Sequence, residues 1–431
     1  MPIDFTPTRY RLQSQATSAI FNDDGWTLDA PGENIPALIR TIYDDKQLNL
    51  LDAGYGLYTY AKWLPIKRIL KGSSAPVTYK STGLAQALGL SNLWITYSGY
   101  WPERNGRMST CSFKETEAYS VCARMKSDED KVLVVASAGN TARAFAKVCS
   151  DNKIPLLLCV PHDYIDALWF DQPLNDCVKL AVTAFNTDYF DAIHLSNLIA
   201  SCNGYIAEGG AKNVARRDGM GTTTLSAVTT IGRIPDFYFQ AIGSGTGAIA
   251  AWEANLRLIE DGRYGTNKMR LMVAQNSPFL PIYNAWKSHS REMLSYDSDL
   301  ARQHVTEIEA KVLSNRKPPY PIIGGLFDAL TDTGGDVLKA TNLEAREAKE
   351  LFFKKEGIDI YSASAIATAS LINEIKLGRI QKDALIMLNI TGGGEERFKK
   401  EHSLFYLEPD LLFGEEPDMH EVNEKLAQLK W

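Results

Sequence analysis

The chain contains 431 residues, of which 45% are hydrophobic and 23% are charged, and its formal net charge at pH 7 is -6. A chain of this length can form two packed domains or one large α/β domain, and its ordinary composition excludes only the unusual compositional classes of protein. The negative net charge gives no reason to expect nucleic-acid binding, so positive contacts with any anionic substrate must be local.

The cysteines and the apolar runs indicate a cytoplasmic protein. The sequence has no CxxC pair and no metal-like spacing of histidine and cysteine. The start, "MPIDFTPTRYRLQSQ", lacks the apolar region of a signal peptide, and the longest apolar runs have the length of strands. We therefore expect no export, no membrane span, no metal, and reduced, partly buried thiols. The cysteines are Cys111, Cys122, Cys149, Cys159, Cys177 and Cys202.

Apolar runs alternate with amphipathic stretches along most of the chain. The first seventy residues are less regular and are predicted to form a layer packed on the main body. The runs that follow are "KVLVVA" with a helix from Thr141, "IPLLLCV", "FYFQAI" with a helix from Ala248, "RLMVAQ" and "ALIMLNI". This alternation predicts a mostly parallel sheet covered by helices on both faces. The charged tail from Glu415 predicts a surface helix.

A lysine stands at the start of a predicted helix in the stretch "MSTCSFKETEAYSVCARM", residues 108–125. The pattern is helical from Glu115 onward and Ser112 is a suitable cap, so Lys114 lies in the first helical turn. The helix dipole is positive there and disfavours a cation. The lysine is therefore either a solvent-facing residue that tolerates a small penalty or a residue whose ammonium is meant to lose its proton.

The turn "SAGNT", residues 137–141, connects the run "VLVVA" to a predicted helix. Backbone N–H groups at a helix N-terminus suit a carboxylate or a phosphate, and Asn140 adds a neutral donor and acceptor. The same residue types are also ordinary helix caps. This turn alone therefore does not distinguish a binding site from a cap.

A second turn, "GSGTG" at residues 243–247, follows "FYFQAI". Its three glycines allow the backbone to wrap closely around a phosphate, and its two hydroxyls add donors. No Gly-Lys-Ser/Thr follows, so it is not a Walker loop. A dinucleotide site would need an acidic residue after the next strand, which ends instead in Gln275 and Asn276. The turn predicts a compact phosphate site rather than a nucleotide site or a plain tight turn.

A third turn, Thr391–Gly394, follows "ALIMLNI" and leads into a charged segment. If the strands before the three turns lie in one parallel sheet, the turns meet near its carboxyl edge, where such folds bind ligands.

A lysine, a phosphate turn, an asparagine turn and a late threonine together are typical of a pyridoxal phosphate site, with Lys114 as the Schiff-base lysine. Burial and the helix N-terminus would lower the pKa of its ammonium.

The sequence resembles threonine synthase and its relatives, the fold type II pyridoxal phosphate enzymes, from about Gly56 to about Gly394. The resemblance is carried, in family order, by "GLYTYAKWLPIKRIL", "SAPVTYKSTGLAQALGLSNLWITYSG", "SFKE", "SAGNT", "GSGTG" and "TGGG". It implies an α/β fold similar to the tryptophan synthase β chain, with two domains that each have a central, mostly parallel sheet flanked by helices. The implied parts are an N-terminal segment 1–70 packed on the large domain, a large cofactor-binding domain of 71–96 and 208–431, and a small mobile domain of 97–207.

The resemblance also implies roles for individual residues. Lys114 would be the catalytic lysine and acid/base, Asn140 would bind the phenolic oxygen of the cofactor, and Thr391 would meet its ring nitrogen. A neutral hydroxyl at that nitrogen suits elimination and replacement better than transamination. The cofactor-binding residues are then Lys114, Asn140, Gly243, Ser244, Gly245, Thr246, Gly247 and Thr391, and the substrate-binding residues are Ser137, Ala138, Gly139, Thr141 and Arg216.

Several positions depart from the threonine synthase pattern. In "NVARRDGMGT", Gly221 stands where that enzyme has a lysine, while Arg216 is kept. Glu115 and Thr116 replace Asp and Arg after the lysine, and Gly393 replaces a histidine. The retained arginine favours an anionic, phosphorylated substrate, since guanidinium binds phosphate bidentately. The alternative is that Arg216 and Arg217 are a solvated surface pair.

An insertion relative to the family, "YWPERNGRM", brings Arg104 and Arg107 close in sequence to Lys114. One hypothesis is that these arginines supply positive charge to a second anion. The alternative is that the insertion is a variable surface loop.

Within the family, the pattern most resembles the cysteate synthases of methanogenic archaea. That resemblance implies β-replacement of the phosphate of O-phospho-L-serine by sulfite, giving L-cysteate for coenzyme M biosynthesis. The alternatives are threonine synthesis from O-phosphohomoserine and water, and a phosphoserine β-replacement with sulfide that gives cysteine. A silent homologue is disfavoured because the lysine and the turns are intact, and a nicotinamide oxidoreductase because the ribose acid is missing.

We expect a homo-oligomer, most simply a dimer, with a mobile segment around 137–208 and no nucleic-acid or membrane partner.

Overall fold

A computed structural model describes residues 5–126, 130–137, 139–316 and 318–431. The α-helices in these ranges are α1 (Gly83–Leu88), α2 (Lys114–Arg124), α3 (Asn140–Asn152), α4 (Tyr189–Ala200), α5 (Val214–Ile231), α6 (Thr246–Asp261), α7 (Pro281–Lys287), α8 (Ser298–Glu307), α9 (Leu326–Thr333), α10 (Asn342–Glu356), α11 (Ser362–Lys376), α12 (Glu395–Glu401) and α13 (Met419–Leu426). Shorter 3-10 helices span Ala53–Trp63, Pro102–Arg104, His162–Ala167, Gly210–Lys212 and Lys311–Leu313.

The strands in the same ranges are β1 (Tyr10–Ser14), β2 (Ile20–Phe21), β3 (Ile39–Tyr43), β4 (Val77–Lys80), β5 (Leu93–Tyr97), β6 (Tyr100–Trp101), β7 (Gly106–Arg107), β8 (Val132–Ala136), β9 (Leu156–Pro161), β10 (Trp169–Phe170), β11 (Val178–Thr183), β12 (Tyr205–Ala207), β13 (Phe237–Ala241), β14 (Arg270–Asn276), β15 (Asp336–Ala340), β16 (Ile386–Ile390), β17 (Phe405–Tyr406) and β18 (Leu411–Leu412).

The larger sheet has six strands in the order β15-β14-β13-β16-β5-β4, and every neighbouring pair is parallel except β5 and β4. Side chains alternate between the two faces of a strand. In β13, Phe239 therefore packs in an apolar cluster on one face and Tyr238 in a second cluster on the other. Because helices cover both faces, β16 is buried along its whole length.

The second sheet has five parallel strands in the order β12-β8-β9-β11-β18. Its strands also separate two apolar clusters, since Leu133 and Val134 of β8 pack on opposite faces. The last strand, β18, comes from the C-terminal segment, which the family resemblance assigns to the large domain, yet it pairs with β11 of this sheet. Helix α13 lies in the tail where a surface helix is predicted.

The expected α/β architecture, with two central, mostly parallel sheets, is confirmed, but the condition that all three turns follow strands of one sheet is not met. The strands before the three glycine-rich turns do not share a sheet, because β8 pairs with β9 and β12 whereas β13 and β16 pair with each other. The turn after β8 therefore belongs to the second sheet and the other two belong to the larger one.

The N-terminal segment forms a small antiparallel sheet, β2-β1-β3, that packs on helices of the main body. Leu12 and Ile39 contact Val214 of α5. The hydroxyls of Thr41 and Tyr43 donate to the buried carboxylate of Asp218, at 2.6 and 2.7 Å.

None of the described helices has the length and apolar character needed to cross a membrane. The six cysteines are free thiols, and four of them are buried.

Candidate active site

A cavity of about 940 Å³, which includes space open to solvent, lies where the three glycine-rich turns come together. Twelve of the thirteen predicted site residues line it. They are Lys114, Ser137, Gly139, Asn140, Thr141, Arg216, Gly243, Ser244, Gly245, Thr246, Gly247 and Thr391. The remaining one, Ala138, lies outside the described residues. The two sheets thus bring their turns to one cavity, although the roles of the residues there stay predictions.

Helix α2 presents Lys114 at its first position. The N-cap of α2 is Phe113, which makes no side-chain cap hydrogen bond, so the prediction that Ser112 caps this helix is wrong. The backbone N–H of Lys114 nevertheless donates to the Ser112 hydroxyl at 3.3 Å. The Lys114 Nζ lies 3.0 Å from Oε2 of Glu117, one turn along the helix. Burial lowers the pKa of the Lys114 ammonium, and the charge of Arg216 adds to this while Glu117 opposes it. The direction agrees with the expectation from the sequence.

The Glu117 carboxylate is completely buried and joins the lysine to two other residues. Its Oε1 accepts a hydrogen bond from the Thr141 hydroxyl at 3.1 Å and lies 3.3 Å from Nη2 of Arg216. The sequence analysis missed this residue, even though an acid three positions after a lysine on a helix faces it.

Arg216 is held by carboxylates on both sides. Its Nε and Nη2 donate to the two oxygens of Glu208 at 2.7 and 2.8 Å, in addition to the contact with Glu117. Burial lowers the pKa of Arg216, but the carboxylates of Glu117 and Glu208 raise it by more. The pKa is therefore raised overall, and the guanidinium keeps its charge. An incoming anion would have to replace one carboxylate to bind this group bidentately.

The alternative of a solvated surface pair is wrong, because both arginines are buried. Arg216 is 8% exposed and Arg217 is fully buried. Arg217 donates to Glu253 at 3.0 Å and to the backbone oxygen of Ile39, away from the cavity. The two neighbours in sequence therefore point to different environments.

The turn Gly243–Gly247 leads from β13 into helix α6, whose N-terminal N–H groups border the cavity. Gly245 has φ +80°, a left-handed conformation that glycine adopts without strain. A Cβ there would also lie 2.6 Å from Cδ2 of the buried Leu326. The hydroxyl oxygens of Ser244 and Thr246 lie 2.8 Å apart. Backbone N–H groups and neutral hydroxyls at a helix N-terminus form a binding site for a phosphate.

The Asn140 side chain is oriented by a buried arginine that the sequence analysis did not single out. Nη2 of Arg143 donates to Oδ1 of Asn140 at 2.9 Å and to the Tyr361 hydroxyl at 2.8 Å. The same guanidinium donates to the backbone oxygens of Thr110 and Ala167. Because its oxygen is occupied by Arg143, Asn140 can offer its amide N–H to a ligand.

Thr391 follows β16, and its hydroxyl lies 3.4 Å from that of Ser364 on α11. The backbone oxygen of Thr391 accepts a hydrogen bond from the N–H of Phe113 at 2.9 Å, which ties this turn to the residue before Lys114. Further residues that line the cavity include Tyr189, Met220, Tyr361 and the segment Lys311–Asn315. None of these last residues carries a recognisable motif, so only the fold reveals them.

The departures from threonine synthase have simple packing explanations. Gly221 faces helix α6, where a Cβ would lie 3.3 Å from the Ala250 oxygen, and it does not line the cavity. At Gly393 a Cβ would lie 2.4 Å from the Asp359 backbone oxygen, so this conformation admits no histidine.

Arg104 and Arg107 lie outside the cavity, which contradicts the hypothesis that the insertion supplies charge to a second anion. The insertion forms the hairpin of β6 and β7. The Arg104 guanidinium lies 4.0 Å from the ring centroid of Tyr79 and 4.8 Å from that of Trp101. Both arginines are exposed, as expected of a surface loop.

Comparison with known proteins agrees with this geometry. The model of the family described as "Pyridoxal-phosphate dependent enzyme" matches residues 78–392. The chain belongs to this family. Cysteate synthase of Methanosarcina mazei is 48% identical over 88% of this chain and 91% of the relative, and that of Methanosarcina barkeri is 46% identical over 90% and 93%. Maize serine racemase has a TM-score of 0.56 at 13% identity, over 74% of this chain and 88% of that one.

These comparisons confirm the fold type II class, the pyridoxal phosphate cofactor and the resemblance to cysteate synthases. The cavity residues fit the cofactor group by group. The glycine turn offers neutral donors to a phosphate, the Asn140 amide a donor to a phenolic oxygen, and Thr391 a hydroxyl to a ring nitrogen. Lys114 offers an amine whose proton is held less tightly than usual. For this pyridoxal-phosphate dependent enzyme, the donor set therefore matches the cofactor.

Proposed function

We propose that this enzyme replaces the phosphate of O-phospho-L-serine by sulfite, giving L-cysteate and inorganic phosphate, a reaction that would serve coenzyme M biosynthesis. The observation that carries the proposal is the position of Lys114 Nζ in a cavity lined by all three glycine-rich turns. The names of the relatives, which are cysteate synthases, supply the product.

The cofactor, when bound, withdraws the electron pair that remains on Cα after deprotonation. Lys114 would hold the cofactor until the amino group of the substrate displaces it. The amine freed in this way would take the Cα proton and later return it. Glu117 lies close enough to stabilise the ammonium formed in between. The electron pair on Cα would form a double bond to Cβ as the Cβ–O bond breaks and phosphate leaves with the bonding pair. The lone pair on the sulfur of sulfite would then bond to Cβ, while Lys114 returns the proton to Cα.

The substrate would be held by neutral groups near its carboxylate and by charge near its phosphate. The N-terminal turn of α3, residues 139–141, offers backbone N–H groups and the Thr141 hydroxyl to the carboxylate. Arg216 is a candidate for the phosphate, and binding would displace one of its carboxylate partners. This displacement would make the arginine specific for a dianion that can compete with Glu208.

The test is to supply the purified holoenzyme with phosphoserine plus sulfite, phosphoserine plus sulfide, phosphoserine alone, and phosphohomoserine. Phosphate release and the mass of the amino acid product are measured in each tube. Cysteate formed only with sulfite is the expected result. Threonine from phosphohomoserine, or cysteine from sulfide at a higher rate than cysteate from sulfite, would overturn the proposal.

We also propose that the enzyme is a cytoplasmic homo-oligomer, most simply a dimer. Light scattering of the purified full chain measures its mass directly. A monomer at micromolar concentration would contradict the oligomer.

A further inference from the structure

The starting observation is the environment of the Lys114 amine. Nζ lies 3.0 Å from the Glu117 carboxylate, which is completely buried, on the same helix. Two oxygens of one buried carboxylate thus serve three groups, since Oε1 also accepts from Thr141 and contacts Arg216. A buried carboxylate needs such partners to offset its desolvation.

The other charged or titratable groups around the amine come from different elements. Arg216 of α5 carries a positive charge and Glu208 of the preceding segment compensates it. Tyr189 at the start of α4 lines the same cavity. Of these groups, Glu117 has the direct contact with Nζ in the structure.

We propose that Glu117 is a positioning residue for Lys114, which holds its ammonium at each protonated stage of the reaction and sets the pH at which the amine becomes free. The inference rests on Lys114 being the lysine that bonds the cofactor, as proposed above. It does not depend on which nucleophile or phosphorylated amino acid the enzyme uses.

Opposing effects act on the pKa of the Lys114 ammonium. Burial and Arg216 lower the pKa of the ammonium, while Glu117 raises it. Without the carboxylate, only the lowering effects and the distant Glu208 remain. The free amine would then exist at lower pH, and the enzyme would have a weaker hold on the proton removed from Cα.

The test measures covalent capture of the cofactor rather than turnover. Apoprotein is incubated with pyridoxal phosphate over a pH series, reduced with borohydride, and the labelled Lys114 peptide is quantified by mass spectrometry. In Glu117→Gln the midpoint of the capture curve should move to lower pH by about one unit or more, because a close opposite charge typically shifts a titration by that amount. In Glu208→Gln the shift should be smaller, since Glu208 acts on Lys114 through Arg216.

An unchanged midpoint in Glu117→Gln, or an equal shift in Glu208→Gln, would overturn the inference. If Glu117→Gln does not fold, Glu117→Asp replaces it in the test. Aspartate keeps the negative charge but places it one methylene farther from Lys114, so the midpoint should shift by an intermediate amount. An unchanged midpoint in Glu117→Asp would also refute the inference. Lys114→Ala tests separately whether Lys114 is the lysine that bonds the cofactor. Continued labelling in that variant would show that Lys114 is not the cofactor lysine, which would refute the assignment itself.

Discussion

Replacing Gly245 by alanine tests whether the turn at residues 243–247 holds the cofactor phosphate. The residue has φ +80°, and forcing an alanine into this left-handed region costs roughly 1–2 kcal/mol. The new Cβ would also lie 2.6 Å from Cδ2 of Leu326, which is fully buried. Overpacking of this kind typically adds about 1–3 kcal/mol.

The chain offers a matched control in Gly232, at the C-terminal end of α5. It has φ +85°, nearly the same backbone conformation, but a Cβ there would meet no atom of the described residues within 4 Å. Gly232→Ala therefore pays the backbone penalty alone. A comparison of the two variants separates the backbone strain from the crowding against Leu326.

The assay is the dissociation constant for pyridoxal phosphate, measured on apoprotein together with the thermal midpoint. If Gly245→Ala relieves its strain by distorting the turn, a loss of about 1.4–3 kcal/mol in cofactor binding weakens affinity roughly tenfold to more than a hundredfold. Gly232→Ala should lower the thermal midpoint slightly and leave cofactor affinity unchanged. Wild-type affinity in a folded Gly245→Ala protein would refute the reasoning.

Three further outcomes are expected. Burial raises the pKa of Glu115 to about 7, so this carboxyl contributes less to stability as pH rises from about 4.5 to 7. The thermal midpoint of the wild type minus that of Glu115→Gln should therefore fall over that range, and a constant difference would contradict this. Arg216→Lys should raise KM for phosphoserine several-fold whereas Arg217→Lys should leave it unchanged, since only Arg216 lines the cavity; equal effects on KM would refute the assignment. Gly393→His should lower the thermal midpoint and yield no threonine from phosphohomoserine, because the Cβ of the new side chain would lie 2.4 Å from the Asp359 backbone oxygen. A variant with the stability of the wild type would contradict this explanation.

The local order of the chain was predictable because each signal lies within a few residues. The apolar runs correspond to β8, β9, β13, β14 and β16, and the helices after two of the turns begin one or two residues earlier than predicted, at Asn140 and Thr246. Glycines followed by hydroxyl residues mark these turns by backbone requirements that the sequence expresses directly.

Long-range pairing was not predictable in the same way. Nothing in the run "VLVVA" indicates that β8 pairs with β9 and β12 rather than with β13, because all of these strands are apolar on both faces. The distant partners of Arg216 and Arg143 are equally difficult to predict, whereas Glu117 lies only one helical turn from Lys114. Arg143 meets Tyr361 across 218 positions of sequence, a contact that only the packing of α3 beside the segment preceding α11 creates.

The central claim is that sulfite replaces the phosphate of phosphoserine at the cavity containing Lys114. The most direct measurement supplies the holoenzyme with phosphoserine and sulfite labelled with a heavy sulfur isotope, and determines the mass of the amino acid and the amount of phosphate released. We expect labelled cysteate and phosphate in equal amounts from the wild type, and neither product from Lys114→Ala. Unlabelled product, phosphate release without cysteate, or full turnover by Lys114→Ala would contradict it.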